Sequence, residues 1–204
     1  RANDGTNGQE LWKSDGTSSG TVMVKDISSG ISSSLVQHLT TIGNTLYFSA
    51  VTSGNGFEVW KSDGTASGTV MDQDINSGSS GSSPLSLILV GNTLYFTALD
   101  GIHGRELWAL DPDNITGLSS GSGSTTTNGN GTTWQVADIW SGGSSSSPGQ
   151  HMSILVGDTL YFDANDGSGS GNELWAHDTS ISSTWRVADI NSGSGSSNPG
   201  YYME

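Results

Sequence analysis

The chain has 204 residues, of which 32% are hydrophobic, 30 are glycine and none is cysteine. Six basic residues against 20 acidic residues give a formal net charge of −14. This charge argues against nucleic-acid binding, because a phosphate backbone requires a basic surface, and it disfavours adsorption to anionic membranes. The absence of cysteine excludes disulfides and thiolate metal sites. No stretch approaches the roughly 18 apolar residues of a membrane span, so we expect no membrane insertion.

In chain order, the predicted elements are all strands, and helical periodicity is absent. The first unit contributes Glu10–Ser14 and Thr21–Ile27, and the second contributes Gln37–Ile42, Thr45–Ala50, Glu58–Ser62 and Thr69–Ile75. The third unit contributes Leu85–Val90, Thr93–Ala98, Glu106–Leu110 and Trp134–Ile139. The fourth contributes Met152–Val156, Thr159–Ala164, Glu173–His177 and Trp185–Ile190. We expect no helix longer than one turn.

These strands recur because the chain repeats the same short sequence motifs. Glu-Leu-Trp, once Glu-Val-Trp, begins at Glu10, Glu58, Glu106 and Glu173. An aspartate follows each copy at Asp15, Asp63, Asp111 and Asp178, and an Asp-Ile pair follows at Asp26, Asp74, Asp138 and Asp189. Thr-Leu-Tyr-Phe precedes three copies, starting at Thr45, Thr93 and Thr159. A period of about 50 residues indicates a repeat architecture.

The apolar pattern predicts how the repeats pack. Leu94 and Phe96 share one face of their strand while Tyr95 points to the other, so both faces of this small sheet must be covered. Radial packing of four-stranded antiparallel blades covers both faces, and about 40–50 residues per blade is typical of β-propellers. We therefore predict an all-β, four-bladed β-propeller-like domain. Its units span about 1–34, 35–83, 84–147 and 148–204.

One blade is expected to be incomplete at the termini. The chain opens on Arg1 inside a unit and stops at Glu204, where another Thr-Leu-Tyr-Phe strand is due, so a segment equivalent to Ile154–Phe162 is lacking. We interpret the chain as a processed or excised piece. Three explanations stay open: a truncated array, a degenerate strand formed by Tyr201–Glu204, or a strand supplied by another chain. The last would give a homopolymer through strand complementation.

The third unit carries an insertion, Pro112–Thr132, that is rich in Gly, Ser, Thr and Asn. Such a tract buries little apolar surface, so we expect an exposed loop. It holds both Asn-x-Ser/Thr sequons, at Asn114 and Asn130, which are candidate sites for covalent glycans. The serine-rich tracts are either O-glycosylated stretches or flexible linkers. They span Ser79–Ser83, Ser119–Thr127 and Ser144–Ser147.

Two motifs resemble those of the ELWxxDGT-repeat proteins: Glu-Leu-Trp-Lys-Ser-Asp-Gly-Thr-x-x-Gly-Thr at Glu10–Thr21, and Asn-Thr-Leu-Tyr-Phe-x-Ala at Asn44–Ala50 and Asn92–Ala98. These are large secreted or surface-associated bacterial proteins. The resemblance implies propeller-like β-structure and an extracellular or cell-surface location, and it implies no reaction. The third and fourth units depart from the motif, because they lack its Lys-Ser pair and its Gly-Thr turn.

The acidic residues allow two interpretations. In the first, recurring aspartates tie turns and recurring glutamates cap loops through side-chain to backbone hydrogen bonds. In the second, the Asp-Gly loops that precede Glu-Leu-Trp bind calcium through carboxylate and amide oxygens. The candidate ligands are Asp4, Glu10, Asp100, Glu106, Asp166 and Glu173. The second unit has Thr52 in place of the loop aspartate, and the spacing differs from an EF-hand.

No catalytic residues are predicted, and we expect the protein not to be an enzyme. The four histidines show no His-x-x-x-His spacing, and the serines form no Gly-x-Ser-x-Gly elbow. A hydrolase with paired carboxylates is the third hypothesis, because such pairs need only meet in space. The non-recurring Asp113 and Asp163 would be its candidates.

The aromatic residues complete the functional expectation. The four Glu-Leu-Trp tryptophans are interpreted as packing anchors, whereas Trp140 lies in a loop and could stack on a sugar or enter a subunit contact. Tyr201 and Tyr202 are further candidates for a ligand or subunit contact.

We expect a non-enzymatic extracellular structural or adhesive protein that self-associates head to tail into a glycosylated filament. The alternative is a lectin-like propeller that binds carbohydrate.

Overall fold

The computed structural model describes residues 1–113, 125–127, 131–151 and 153–201. Every regular element within these ranges is a strand, which confirms the all-β prediction. The first eight strands are β1 (Ala2–Asn3), β2 (Gln9–Lys13), β3 (Val22–Lys25), β4 (Gln37–Ile42), β5 (Thr45–Thr52), β6 (Gly56–Ser62), β7 (Val70–Gln73) and β8 (Leu85–Val90). The others are β9 (Thr93–Leu99), β10 (Arg105–Asp111), β11 (Thr125–Thr127), β12 (Thr132–Ala137), β13 (Ser153–Val156), β14 (Thr159–Ala164), β15 (Glu173–Asp178) and β16 (Ser183–Ala188).

The strands form four antiparallel sheets, and the strands of each sheet fall within one predicted repeat. The first sheet has the order β1-β2-β3, the second β4-β5-β6-β7, the third β11-β12-β10-β9-β8 and the fourth β13-β14-β15-β16. The predicted four-stranded meander is thus observed in the second and fourth sheets. The chain divides into two compact units, Arg1–Leu89 and Val90–Glu204.

The insertion differs in part from the expected loop. Thr125–Thr127 forms β11, which pairs with Thr132–Trp134 of β12, and Thr132 is buried rather than exposed. The physical reason is that consecutive β-branched threonines favour an extended, paired backbone even in a segment of low hydrophobicity. Asn114 and Asn130, the predicted glycan acceptors, lie outside the described residues.

The same pairing register recurs in three sheets. The Trp of Glu-Leu-Trp lies opposite the Phe of Thr-Leu-Tyr-Phe, and the Glu lies opposite an alanine. On its other side, each Glu-Leu-Trp strand carries a β-bulge between the Leu or Val and the Trp, and this bulge occurs in all four sheets. A bulge bends its strand and increases the local twist. The repeated phrase therefore determines a repeated backbone geometry.

In the unit Arg1–Leu89, the first two sheets share a buried apolar cluster. Leu11 and Val24 of the first sheet join Phe48, Ala50 and Trp60 of the second sheet in one buried cluster. Burial of each large apolar side chain contributes about 1.5–3 kcal/mol, so this interface is a principal source of stability. Two lysines of the first sheet reach backbone carbonyls of the second. Lys13 Nζ donates to Gly64 O at 2.8 Å and Lys25 Nζ donates to Thr69 O at 2.7 Å.

In the unit Val90–Glu204, the third and fourth sheets are also in contact. The ring of Tyr95 in β9 lies 5.4 Å from that of His177 in β15, centroid to centroid. Both side chains are buried. The side chains of Phe96, Trp108 and Phe162 are almost completely buried as well. Side chains on both faces of β9 are thus buried, as its sequence pattern predicted.

A glycine two residues before each recurring glutamate adopts a left-handed backbone conformation. Gly8, Gly56, Gly104 and Gly171 have φ between 65° and 75°. Each also approaches the serine-rich loop that follows the repeat: a Cβ on Gly56 would lie 2.6 Å from the backbone nitrogen of Gly81. A side chain is disfavoured here both by the positive φ and by the lack of space.

We predict that Gly56→Ala lowers the free energy of unfolding by about 1–3 kcal/mol, because it forces a non-glycine residue into the left-handed region and against neighbouring backbone. Gly54→Ala is the matched control, since a Cβ there meets no atom within 4 Å and its φ is not left-handed. Urea unfolding of both variants checks this. Equal free energies of unfolding for the two variants would contradict a requirement for glycine at Gly56.

Candidate functional site

The four recurring glutamates are the most unusual polar groups of the fold. Glu10, Glu58, Glu106 and Glu173 are all 0% exposed. A buried carboxylate is costly unless its oxygens accept hydrogen bonds, so the partners of these oxygens define the role of each glutamate.

Each glutamate accepts backbone hydrogen bonds from two loops. Glu58 accepts from the N–H of Ile75 at 3.1 Å, from the N–H of Ser82 at 2.7 Å and from the Ser82 hydroxyl at 2.6 Å. The same arrangement of an isoleucine amide and a serine amide surrounds the other three glutamates. We call this arrangement the glutamate clamp. Its members are Glu10 with Ile27 and Ser34, Glu58 with Ile75 and Ser82, Glu106 with Ile139 and Ser146, and Glu173 with Ile190 and Ser197.

The serine of the clamp also reaches the next sheet. The carbonyl of Ser34 accepts a hydrogen bond from the N–H of Val51 in β5 at 2.8 Å, and that of Ser146 accepts from Asn165, just after β14, at 3.0 Å. The glutamate therefore fixes the loop that connects one sheet to its successor. The capping interpretation of the glutamates agrees with this geometry.

Burial makes two of the clamp glutamates weaker acids. It raises the pKa of Glu58 and that of Glu106 to about 7, although the hydrogen bonds from the clamp serines and amides act in the opposite direction. These two glutamates therefore titrate near neutral pH, whereas a carboxyl group in an unfolded chain titrates near its ordinary value of 4.5.

The aspartates that follow Glu-Leu-Trp tie turns. Asp63 Oδ1 accepts from the N–H of Thr65 at 2.8 Å and from its hydroxyl at 2.7 Å. Asp15 binds Thr17 in the same way, and Asp178 binds Ser180. These contacts are local side-chain to backbone bonds typical of turns, and they account for the recurrence of the aspartate.

The proposed calcium ligands have N–H partners of their own. Asp4 Oδ1 accepts from the N–H groups of Thr6 and Asn7 at 2.8 Å, while Glu10 belongs to its clamp. Asp100 accepts from the N–H groups of Ile102 and His103, and Asp166 from that of Ser168. In residues 1–113, 125–127, 131–151 and 153–201, no group of three or more His, Cys, Asp or Glu side chains is placed to hold a metal ion. Calcium binding stays a prediction.

The tryptophans of the repeated phrase act through packing. Trp60 and Trp108 are buried, and the indole N–H groups of all four have no hydrogen-bond partner within the described part of the chain. The residues are Trp12, Trp60, Trp108 and Trp175. An aromatic side chain that makes no polar contact contributes through buried area alone.

Trp140 is half-buried, and its indole lies against the loop that precedes β15. A Cβ on Gly167 would lie 2.2 Å from the indole nitrogen, so the pyrrole edge of the ring packs directly on that glycine. Tyr201 is 57% exposed, and its ring lies 5.0 Å from that of His151. Tyr202 lies outside the described residues. No sequence signal identified Gly167 as the contact of Trp140.

The two carboxylates of the hydrolase hypothesis have different surroundings. Asp163 is completely buried and accepts from His151 N–H at 3.0 Å and from His151 Nδ1 at 2.7 Å. Asp113 is exposed and accepts from Asn92 at 2.6 Å. Asp163 thereby joins β14 to the loop before β13, which is a structural role.

The first sheet has an open edge. β1 pairs with Gln9 and Glu10 only, and among the described residues no strand pairs with Leu11–Lys13 on that side of β2. A cleft of about 270 Å³ is lined by residues of the first and second sheets that include Leu11, Lys13, Val24, Leu46 and Ser62.

We predict that Glu58→Ala destabilises the protein strongly, because it leaves the N–H groups of Ile75 and Ser82 buried and unpaired at a cost of about 1–3 kcal/mol each. Asp4→Ala is the control, since Asp4 is exposed and its hydrogen bonds stay within one loop. Chemical denaturation compares the two. A loss for Glu58→Ala no larger than that for Asp4→Ala would refute the clamp.

We also predict that stability falls as pH rises through neutrality. The folded pKa of Glu58 and of Glu106, about 7, exceeds the ordinary 4.5, so the folded state binds more protons between these values and loses stability as they dissociate. Burial lowers the pKa of His177 to about 4, which acts in the opposite direction below its ordinary pKa of 6.5.

The thermal midpoint should therefore be compared between about pH 6.5 and pH 8, where the glutamates dominate. We expect a lower midpoint at pH 8 and a smaller difference for Glu106→Gln, which cannot ionise. An equal or higher midpoint at pH 8 in the unsubstituted protein would contradict the prediction.

No family model, curated protein or solved structure matches the chain. The described residues contain no helix with the length and apolar character needed to cross a membrane. The function of the protein is therefore argued from its repeated geometry.

Proposed function

We propose that the protein is a non-enzymatic structural or adhesive repeat module that acts outside the cell and self-associates. The observation that carries this proposal is that all four repeats use their buried glutamate for the same structural task, the capping of an isoleucine amide and a serine amide in two loops.

The use of the recurring polar groups supports a structural role over catalysis. The glutamates bind loop amides, the turn aspartates bind their own turns, and the tryptophans pack without polar contacts. An active site is needed once, whereas these groups recur in successive repeats and perform the same task in each. We therefore propose that the chain acts through its surface and its assembly rather than through catalysis.

The arrangement we propose for the four sheets is a four-bladed, propeller-like one. Two observations support it: the first and second sheets share a buried apolar cluster, and the third and fourth sheets are in contact through Tyr95 and His177. The steps from the first to the second sheet and from the third to the fourth sheet have the same geometry, with a clamp serine that bonds the following sheet. Repeats of about 40–50 residues suit such blades.

An extracellular setting is supported by the acidic surface and by the two sequons. A net charge of −14 favours solubility and resists non-specific association, which suits an exposed assembly. Asn114 and Asn130 are acceptors for covalent glycans in that setting. We propose a head-to-tail, glycan-bearing filament as the assembled form.

Carbohydrate binding is the competing hypothesis, with Trp140 as the platform. Sugar stacking requires an aromatic face that is open to solvent, whereas the edge of the Trp140 indole is covered by Gly167 and the ring is half-buried. The recurring polar groups support a structural module, so assembly is the function we propose.

We predict that negative-stain electron microscopy of the 204-residue protein shows fibres whose axial repeat is close to the size of one molecule. The same preparation with a calcium chelator tests the metal hypothesis, because collapse of the fibres would assign a role to the Asp-Gly loops. Dilution should shorten the fibres by mass action. Uniform single particles at all concentrations would contradict self-association.

A further inference from the structure

The residue four positions after each recurring glutamate differs between the repeats. It is a serine in the first two repeats, a leucine in the third and a histidine in the fourth: Ser14, Ser62, Leu110 and His177. In the second repeat, the hydroxyl oxygens of Ser62 and Thr69 lie 2.7 Å apart. In the fourth, His177 Nδ1 lies 2.8 Å from Thr184 Oγ1. The histidine thus keeps the side-chain pairing of the serine and adds a ring that can take up a proton.

This histidine lies at the contact between the third and fourth sheets. The side chain of His177 is only 1% exposed, and its ring centroid lies 5.4 Å from that of Tyr95, with the two ring planes tilted by 49°. Tyr95 belongs to β9 and is 5% exposed. On β14, the buried Leu160 lies opposite His177. A neutral imidazole suits this environment, whereas an imidazolium would lose its hydration there.

We infer that His177 is an acid-sensitive latch between the third and fourth sheets, closed while its neutral ring packs on Tyr95 and opened when the ring is protonated. Protonation places a charge between two apolar sheet faces. The charge regains its hydration only if the ring leaves this contact, so the proton favours the open state. The latch acts within one molecule and does not depend on the proposed self-association.

The charged groups of the fourth sheet do not offset the cost of burying the imidazolium. Burial lowers the pKa of His177 to about 4, although the negative charge of the neighbouring Asp178 acts in the opposite direction. On β16, the hydroxyl of Thr184 carries no charge. Farther along that strand, Arg186 Nη1 lies 3.4 Å from a carboxylate oxygen of Asp166. The fourth sheet therefore favours the neutral ring at neutral pH.

The third sheet presents an uncharged group to the latch. Burial, together with the negative charge of Asp111, raises the pKa of Tyr95 to about 12, so its phenol keeps its proton at neutral and acidic pH. The contact between Tyr95 and His177 therefore has one titrating member in the acidic range.

The pH range of the latch follows from the two states of His177. In the open state the ring titrates near its ordinary pKa of 6.5, and in the closed state near 4. The closed contact is therefore fully favourable above pH 6.5 and weakens as the pH falls towards 4, because the open state binds a proton that the closed state excludes. Between pH 7.5 and pH 4.5, the ratio of closed to open molecules should fall roughly 70-fold.

The first test is an NMR titration of the histidine ring protons in the 204-residue protein. The signal of His177 is identified by its absence from His177→Ser, a variant that restores the serine of the first two repeats and its pairing with a threonine. We expect His177 to titrate below 6.5. Titration at or above 6.5 would overturn the latch, because it would mean that the Tyr95 ring stabilises the imidazolium in the closed contact.

The second test measures opening directly by hydroxyl-radical footprinting at pH 7.5 and pH 4.5. We expect oxidation of Tyr95 to rise severalfold at pH 4.5 in the unsubstituted protein and to stay constant in His177→Ser. Tyr47 is the internal control, since it is the equivalent tyrosine of the second sheet and is 2% exposed. Unchanged protection of Tyr95 at pH 4.5 would overturn the latch. An equal rise in His177→Ser, or an equal rise at Tyr47, would do the same by showing a general response to acid.

Discussion

The structure depends on a carboxylate that has no access to water. Each recurring glutamate must find donors inside the fold, because an unpaired buried carboxylate would cost more than a repeat of this size gains from packing. Two loops provide these donors, one after the Asp-Ile pair and one within a serine-rich tract. The glutamate thus closes its own repeat, and the clamp serines Ser34 and Ser146 also accept a hydrogen bond from the repeat that follows.

The need to supply donors to these buried carboxylates explains features of the loops that amino-acid composition alone does not. A serine-rich tract would be expected to be flexible, yet Ser34, Ser82 and Ser146 are completely buried because they donate to the glutamates or stand beside them. The positive-φ glycines recur because the same loops press against the backbone two residues before each glutamate. Ser82 and Ser146 are consequently inaccessible to the O-glycosylation that their tracts suggested. The polar groups of the chain serve to hold sheets together.

The sequence predicted the strands well, because alternating apolar residues and tight turns are local signals. It also predicted that both faces of the inner strand are covered. It did not predict the β-bulge beside each tryptophan, the strand at Thr125–Thr127 or the packing of Trp140 on Gly167, since these depend on partners distant in the chain. For the glutamates, the sequence left capping and calcium ligation as alternatives. Only the positions of the loop amides show the capping contacts.

The clamp itself is tested most directly by residue-resolved hydrogen–deuterium exchange of the native protein. The account predicts that the amides of the clamp exchange as slowly as those of the central strands, although they lie in loops outside any strand. These amides belong to Ile27, Ile75, Ile139 and Ile190, and to Ser34, Ser82, Ser146 and Ser197. Exchange at the rate of the exposed loop residues would contradict it, and the buried carboxylates would then not hold the repeats together.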